Sequence, residues 1–297
     1  MLALDNVKVL DQAHGPSWSV YCGDSAEVLK GIPDRSVGLS VYSPPFANLY
    51  TYSGSERDMG NCVDDGEFLR HYEFIARELL RVTRPGRLCA VHCKDLVNYR
   101  GRDGRAGLRD FPGDLIRAHE AAGWQYHSRV TVWKDPVVEM QRTKAHGLLY
   151  KQLRADSTFS RQGIAESVLT FRRWAAEGEE VAPVTQTREG FPLDQWQEWA
   201  SPVWMTIVQT DVLNTAIARD DQDEKHMCPL QLDLIERCVR LWSNPGDVVL
   251  TPFLGIGSEV KVAVEHGRYG VGVELKREYW LHAVNNVRAA GAQRRLL

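Results

Sequence analysis

Short apolar runs alternate with amphipathic segments at both ends of this chain, and this alternation constrains its fold more than any other feature. The runs at 37–42 and 248–250 are typical of strands in a parallel sheet that is covered on both faces. Residues 67–83 and 230–242 repeat apolar side chains at helical spacing. The pattern predicts an α/β fold with a doubly wound, mostly parallel sheet.

The alternation stops in the middle of the chain. Residues 124–133 and 167–171 have the pattern of two antiparallel strands, but no strand–helix order persists from 174 to about 225. We expect the tryptophans of that stretch to form a small core of its own: Trp196, Trp199 and Trp204. The middle is therefore interpreted as a recognition region inserted into one domain, with predicted boundaries at 15–173, 174–225 and 226–297.

Composition excludes several classes of protein. A hydrophobic content of 43% allows a large buried core, and the absence of a long apolar stretch predicts that no segment spans a membrane. The N-terminus lacks the features of a secretory signal, and the six cysteines form no close CxxC pair. We therefore expect reduced thiols, no metal site and a cytoplasmic location.

The charges are spread unevenly. The net charge of −3 does not fit a simple basic DNA-binding protein, and acidic residues gather at 177–180 and 220–224. The cations cluster elsewhere, at Arg100, Arg102, Arg105, Arg109, Arg142, Lys144, Lys151 and Arg154. This division permits a positive groove on an acidic body, although solvated loops would carry the same charges.

A glycine-containing turn follows the strand at 248–250, and its notable residues are Pro252, Phe253, Gly255 and Gly257. Glycine lets the backbone pass close to a ligand, and ligands of open α/β sheets bind beyond the carboxyl ends of strands. Glu274 ends the next strand, where a carboxylate can accept hydrogen bonds from a ribose diol. The absence of GxGxxG disfavours a dinucleotide, and a tight turn without a ligand remains the alternative.

The strand at 37–42 ends in a second motif, Ser43, Pro44, Pro45 and Phe46. Two consecutive prolines keep the preceding carbonyl groups out of a helix ladder. Those carbonyls and the Ser43 hydroxyl can accept hydrogen bonds from an exocyclic NH₂, and Phe46 can stack on an extruded base. Acceptors for both amine protons would direct the nitrogen lone pair towards a methyl sulfonium. A Pro-Pro turn alone would also serve as a strand terminator.

With both motifs present, the chain resembles the DNA amino-methyltransferases that act on exocyclic amines. Their catalytic motif, (Asp/Asn/Ser)-Pro-Pro-(Tyr/Phe/Trp), matches residues 43–46. Their cofactor motif, Asp-Pro-Phe-x-Gly-x-Gly-Thr, matches residues 251–258 except at Thr251 and Ser258. The order of the motifs is that of the beta type, a circular permutation with the catalytic half first.

The resemblance implies a Rossmann-like, seven-stranded methyltransferase sheet with S-adenosyl-L-methionine as the cofactor. Residues 15–173 would be the catalytic half, 226–297 the cofactor-binding half and 174–225 the target-recognition region. The resemblance also assigns Asp24 to the cofactor adenine and Glu274 to its ribose. It places His226 in the segment that precedes the cofactor loop.

Within this family, Ser at the first position of the catalytic motif is typical of cytosine N4 methylation, and Asp is typical of adenine N6. The resemblance therefore favours methylation of a flipped cytosine in DNA, with the two basic segments on the phosphates. The alternatives are an adenine N6 enzyme, an RNA or protein amide methyltransferase, and a domain that binds DNA without catalysis. A homodimer is left open, and any restriction endonuclease would be a separate protein.

Overall fold

The structure is a computed structural model that describes residues 7, 9–45, 65–143, 146–214 and 229–293. The strands are β1 (Asp11–Gly15), β2 (Trp18–Cys22), β3 (Val37–Tyr42), β4 (Thr83–Lys94), β5 (Leu96–Asn98), β6 (Gly107–Arg109), β7 (Gln125–Val132), β8 (Glu166–Arg172), β9 (Val203–Trp204), β10 (Val248–Thr251) and β11 (Tyr269–Glu274). The helices are α1 (Ser25–Val28), α2 (Asp65–Val82), α3 (Arg100–Asp103), α4 (Phe111–Ala121), α5 (Pro136–Thr143), α6 (Tyr150–Ala155), α7 (Leu193–Trp199), α8 (Leu232–Trp242), α9 (Ser258–Glu265) and α10 (Arg277–Gln293).

One large sheet organises the described residues, with the strand order β1-β2-β11-β10-β3-β4-β8-β7-β9. The five strands from β2 to β4 in this order are mutually parallel, and β8 is antiparallel to both β4 and β7. The predicted mostly parallel α/β sheet is confirmed. Two edge strands, β1 and β9, add to the seven that were expected. The sequence did not predict them, because β1 is polar and alternately exposed and β9 has only two residues.

Helices cover both faces of the sheet, as a doubly wound fold requires. On β3, Val41 packs in a cluster with α8 and α9, whereas the next residue, Tyr42, packs in a cluster with α2 and α4. Val249 and Leu250 of β10 divide between the same two clusters. A slip of one residue would exchange the two faces of a strand and would place each side chain against the wrong cluster.

The parallel pairing brings several strand ends together at one edge of the sheet, hereafter the carboxyl edge. In the register, Cys22 lies opposite Glu274, and Thr251 lies opposite Gly272. β3 pairs with β10 through Ser40 and Leu250. Because β7 runs in the direction of β4, the connection between β7 and β8, residues 133–165, leaves and re-enters the sheet at this same edge.

The segment that follows β8 runs along the opposite, amino edge. Glu179 pairs with Arg35, which precedes β3, at 2.9 Å. The Thr185 N–H donates to Asn244, which precedes β10, at 3.0 Å. The first part of the predicted recognition region therefore lies away from the carboxyl edge, and the assignment of 174–225 to target recognition stays a prediction.

The tryptophans of this region do not form a separate core, contrary to the expectation from the sequence. Trp204 is 1% exposed and belongs to the cluster that covers Leu39 and Val41, because β9 joins the main sheet beside β7. Trp199 packs edge-on against Phe191. Trp196 is 51% exposed.

Within the part of the chain that the structure describes, none of the helices combines the length and the apolar character that crossing a bilayer requires.

Acid should destabilise the fold through His119, which is buried between α4 and β8. Its ring stacks on Phe171 with 3.8 Å between centroids, and burial lowers its pKa to about 4. The unfolded chain, in which His titrates near 6.5, takes up this proton first as the pH falls. The stability linked to His119 is therefore present above about pH 6.5 and declines towards pH 4, by about 2 kcal/mol between pH 7 and pH 5.

The variant His119→Phe keeps an aromatic ring in this position and removes the titration. Denaturant unfolding at pH 7 and pH 5 should therefore show a smaller acid-induced loss of unfolding free energy for His119→Phe than for the unmodified chain. Equal losses in the two proteins would contradict the assignment to His119.

Candidate active site

The two sequence motifs meet at neighbouring strand ends. Ser43, Pro44 and Pro45 follow β3 directly, and the glycine-containing turn follows β10, the parallel neighbour of β3. The rings of Tyr42 and Phe253, one from each side, lie 5.6 Å apart. Segments far apart in sequence thus face one region of the carboxyl edge, as a shared site requires.

The two glycines of the turn are required for different reasons. Gly257 has a φ of 99°, and a Cβ there would lie 3.1 Å from the Ala283 Cα, so it permits close packing of α9 on α10. Gly255 has a φ of 52°, and a Cβ there would meet no heavy atom within 4 Å. The backbone at Gly255 therefore borders open space, as a cofactor loop should.

Neighbouring residues hold this loop in place. The Ser25 hydroxyl donates to the Pro252 carbonyl at 2.5 Å, which ties the start of α1 to the turn. Thr251, where the family usually has Asp, accepts a long hydrogen bond from the Phe253 N–H at 3.4 Å. This bond connects the end of β10 to the second residue of the turn.

Two carboxylates lie beside the loop, at the ends of β11 and β2. Glu274 accepts hydrogen bonds from the backbone N–H groups of Gly255 and Lys276, each at 2.8 Å. Asp24 caps α1 by accepting from the Ala26 N–H at 3.0 Å. A carboxylate can accept about four hydrogen bonds, so these anchoring bonds are compatible with a further role in binding hydroxyl groups.

Behind the Ser43-Pro44-Pro45 turn, a line of largely buried polar groups connects four neighbouring strands, β3, β4, β8 and β7. The Ser43 Oγ lies 3.3 Å from His92 Nδ1, and His92 Nε2 lies 3.0 Å from Glu166 Oε2. Lys134 Nζ lies 2.6 Å from the same carboxylate oxygen. Burial alone would raise the pKa of Glu166, but His92 and Lys134 outweigh it and hold that pKa well below its usual range.

Sequence reasoning missed Glu166 and Lys134. Lys134 comes just after the apolar end of β7, and Glu166 is the first residue of β8. Opposite charges at the end of one strand and at the start of its antiparallel partner were a signal that the two side chains could meet. The third partner, His92, depends on the register between β4 and β8, which spacing does not reveal.

Two of the basic segments emerge at the carboxyl edge. Arg100 and Arg105 are exposed on the connection between β4 and α4. Lys151 and Arg154 are exposed on α6, within the connection between β7 and β8. These four cations are placed where a polyanion that approaches the edge could contact them.

Arg109 has a different environment from the other candidate cations. Its Nε donates to Asp114 at 3.2 Å, and its guanidinium lies over the Phe111 ring. These contacts hold it against the start of α4, so a role in packing is better supported than the predicted phosphate contact. Three predicted site residues lie outside the described residues, Phe46, Lys144 and His226, as do the side chains of Arg102 and Arg142.

Known proteins resemble this chain in sequence and in fold. Residues 37–285 match the model of the DNA methylase family N6_N4_Mtase. The Type II methyltransferase M.BglII of Bacillus subtilis is 26% identical over 266 residues, which cover 88% of this chain and 66% of M.BglII. The structure of TTHA0409 from Thermus thermophilus, complexed with S-adenosyl-L-methionine, has a TM-score of 0.65 at 24% identity and covers 92% of this chain and 95% of that one.

The PvuII DNA methyltransferase, which is cytosine-N4-specific, has a TM-score of 0.66 at 16% identity and covers 96% of each chain. At such low identity, the structural matches establish the fold. The family model spans most of the sequence, from β3 into α10, and includes both strand-end motifs. The chain therefore belongs to the N6_N4_Mtase family of DNA methylases.

Proposed function

We propose that this protein transfers the methyl group of S-adenosyl-L-methionine to the N4 amine of a cytosine flipped out of DNA. The observation that carries the proposal is the meeting of the Ser43-Pro44-Pro45 turn and the Gly255 loop at adjacent parallel strand ends. One loop borders open space for a cofactor, and the other presents acceptors for an amine.

The cofactor-binding residues come from three neighbouring strands. The loop from Pro252 to Gly257 would follow the methionine part, Glu274 would accept from the ribose hydroxyls, and Asp24 would lie towards the adenine. When bound, S-adenosyl-L-methionine supplies an electrophilic methyl group on a sulfonium. The open space beside Gly255 fits this arrangement, since the backbone there leaves room for a ligand.

The catalytic turn would act by orienting the amine. An amino group conjugated to a ring is a poor nucleophile, because its lone pair is shared with the ring. The Ser43 hydroxyl oxygen and a carbonyl of the Pro-Pro turn would accept its two protons and direct the lone pair towards the methyl group. No covalent bond to the protein is needed, and Phe46 would stack on the extruded base.

Cytosine is favoured over adenine by the first residue of the motif. Ser at this position is typical of the N4 enzymes that the chain resembles, and Asp is typical of the N6 enzymes. Adenine N6 is the second candidate, because both bases present a conjugated amine to the same acceptors.

DNA would approach the carboxyl edge. The connection between β7 and β8 carries six Lys or Arg and three Asp or Glu, and it exposes Tyr150 and Phe159. Residues 174–225 carry three Lys or Arg and eleven Asp or Glu, so they are less suited to phosphates. A homodimer and a separate restriction endonuclease stay predictions.

Nucleoside analysis of methylated DNA tests the target base. DNA incubated with the protein and S-adenosyl-L-methionine, then digested and separated by mass spectrometry, should contain N4-methylcytosine. N6-methyladenine in its place would establish the second candidate. RNA and an unrelated protein are the control substrates, and neither should gain methyl groups under the same conditions.

The cofactor loop can be tested with two glycine substitutions. Gly255→Ala adds a methyl group in open space, so it should weaken S-adenosyl-L-methionine binding by about tenfold or more, while the backbone strain costs only about 1 kcal/mol of stability. Gly257→Ala drives a methyl group against Ala283 and should lower the melting temperature more. Calorimetry with the cofactor measures the change in binding, and thermal melting measures the change in stability. Unchanged binding by Gly255→Ala would contradict the proposal that this loop binds S-adenosyl-L-methionine.

The phosphate contacts can be tested by salt dependence. Lys151→Gln and Arg154→Gln should each weaken DNA binding, and each should reduce the slope of log K against log salt by about one. Arg188→Gln, an exposed cation on the segment that follows the amino edge, is the matched control and should leave the slope unchanged. Fluorescence anisotropy titrations would measure the slopes. A reduced slope for Arg188→Gln, with unchanged slopes for Lys151→Gln and Arg154→Gln, would indicate that DNA binds at the amino edge.

A further inference from the structure

We propose that His92 is a positioning residue that fixes the direction of the Ser43 hydroxyl, through a buried line of groups that continues to Glu166 and Lys134. The inference rests on the proposed function, because it concerns how Ser43 meets the target amine. It predicts that the oxygen lone pairs of Ser43, and not its proton, face the base.

The Ser43 hydroxyl has one proton and two acceptors on β4. One is the main-chain carbonyl of His92, to which Ser43 Oγ donates at 3.2 Å. The other is His92 Nδ1 at 3.3 Å, provided that this nitrogen carries no proton. Both lie on the side of β4. The bond to the carbonyl is longer than an ordinary O–H···O bond, so the imidazole is needed as the second acceptor that holds the proton away from the turn.

Glu166 determines which nitrogen of His92 is protonated. The charge of Lys134 and the hydrogen bond from His92 hold the pKa of this carboxyl below its usual range, and a carboxylate can only accept hydrogen bonds. His92 Nε2, 3.0 Å from Glu166, must therefore be the donor. In a neutral imidazole the other nitrogen, Nδ1, is then an acceptor for Ser43.

Lys134 completes the line by sharing the carboxylate oxygen of Glu166. The side chains of His92 and Lys134 are each 8% exposed, and that of Glu166 is 13% exposed. Further along this part of the sheet, Lys94 lies opposite Glu166 in the register. Replacing a buried ion pair by apolar residues often leaves the folding free energy unchanged or improves it. A contribution to stability is therefore a weak explanation for the presence of these charged groups.

The direction of the hydroxyl matters for the reaction. A hydroxyl that pointed its proton at the amine would compete for the nitrogen lone pair that must attack the methyl group. A hydroxyl that presents its lone pairs accepts an amine proton and leaves the nitrogen lone pair free. The line from Lys134 to Ser43 therefore selects the productive form before the base arrives.

A double-mutant cycle tests the coupling. Single-turnover methyl transfer to DNA would be measured for the unmodified chain, Ser43→Ala, His92→Phe and the double variant, as total label regardless of base. His92→Phe should slow transfer about tenfold or more when Ser43 is present, with cofactor and DNA affinities unchanged, and less than about twofold in the Ser43→Ala background. Multiplicative losses in the two backgrounds would overturn the proposal.

Two conservative variants sharpen the result. His92→Asn can place an acceptor near the position of Nδ1, whereas His92→Gln extends towards Glu166 and leaves the Ser43 side without one. His92→Asn should therefore retain more activity, and the reverse order would contradict the proposal. Thr170→Val, which removes a buried hydroxyl bonded to Ser128 at 2.7 Å, is the structural control and should have the same effect in both Ser43 backgrounds.

The two levels of inference fail in different ways. If the unmodified chain places no methyl group on DNA, the proposed function is wrong. If it does, and the losses from His92→Phe and Ser43→Ala multiply, only the positioning role of His92 is wrong.

Discussion

The parallel pairing of β3 with β10 is the constraint on which the rest of this structure depends. It joins segments that are far apart in sequence and sets the carboxyl ends of the two strands side by side. Both strands are covered on each face, so a slip of one residue would place each side chain in the wrong cluster, and this packing favours the observed register. The Ser43-Pro44-Pro45 turn and the loop that contains Gly255 take their relative position from this pairing.

Around that pairing, short local contacts adjust the individual groups. The loop that contains Gly255 is held by the Glu274 carboxylate at the end of β11 and by the Ser25 hydroxyl at the start of α1. The two bonds are 2.8 Å and 2.5 Å long, and each contributes about 1 kcal/mol or somewhat more. Their combined effect is to define the loop in advance, so that a cofactor need not pay the full entropic cost of ordering it.

The alternation of apolar runs predicted most of the sheet, because parallel strands buried on both faces leave a plain signal in sequence. β1 gave no such signal, since Asp11, Gln12 and His14 form a polar edge strand. Trp204 was misassigned for a different reason. Its neighbours in sequence are irregular, and only the pairing of β9 with β7 brings it into the main core.

The site was predicted unevenly for the same physical reason. Motifs that are contiguous in sequence, such as Ser43 with its prolines, could be recognised directly. The contacts of His92 with Glu166 depend on the register of β4 with β8, and the ion pair that holds Arg109 depends on how α4 begins. Pairings between distant segments carry no spacing rule, so spacing could not supply them.

Lys134 lies near the start of the connection between β7 and β8, and Glu166 follows its last residue. The ion pair between them holds the two ends of the connection together. The same carboxylate continues to His92 and Ser43. Because this ion pair holds both ends of the connection, its central part can change in length or composition while its ends keep their register with the sheet. The same carboxylate links the base of this connection to Ser43 through His92, so the two ends of the connection and the serine share one set of polar contacts.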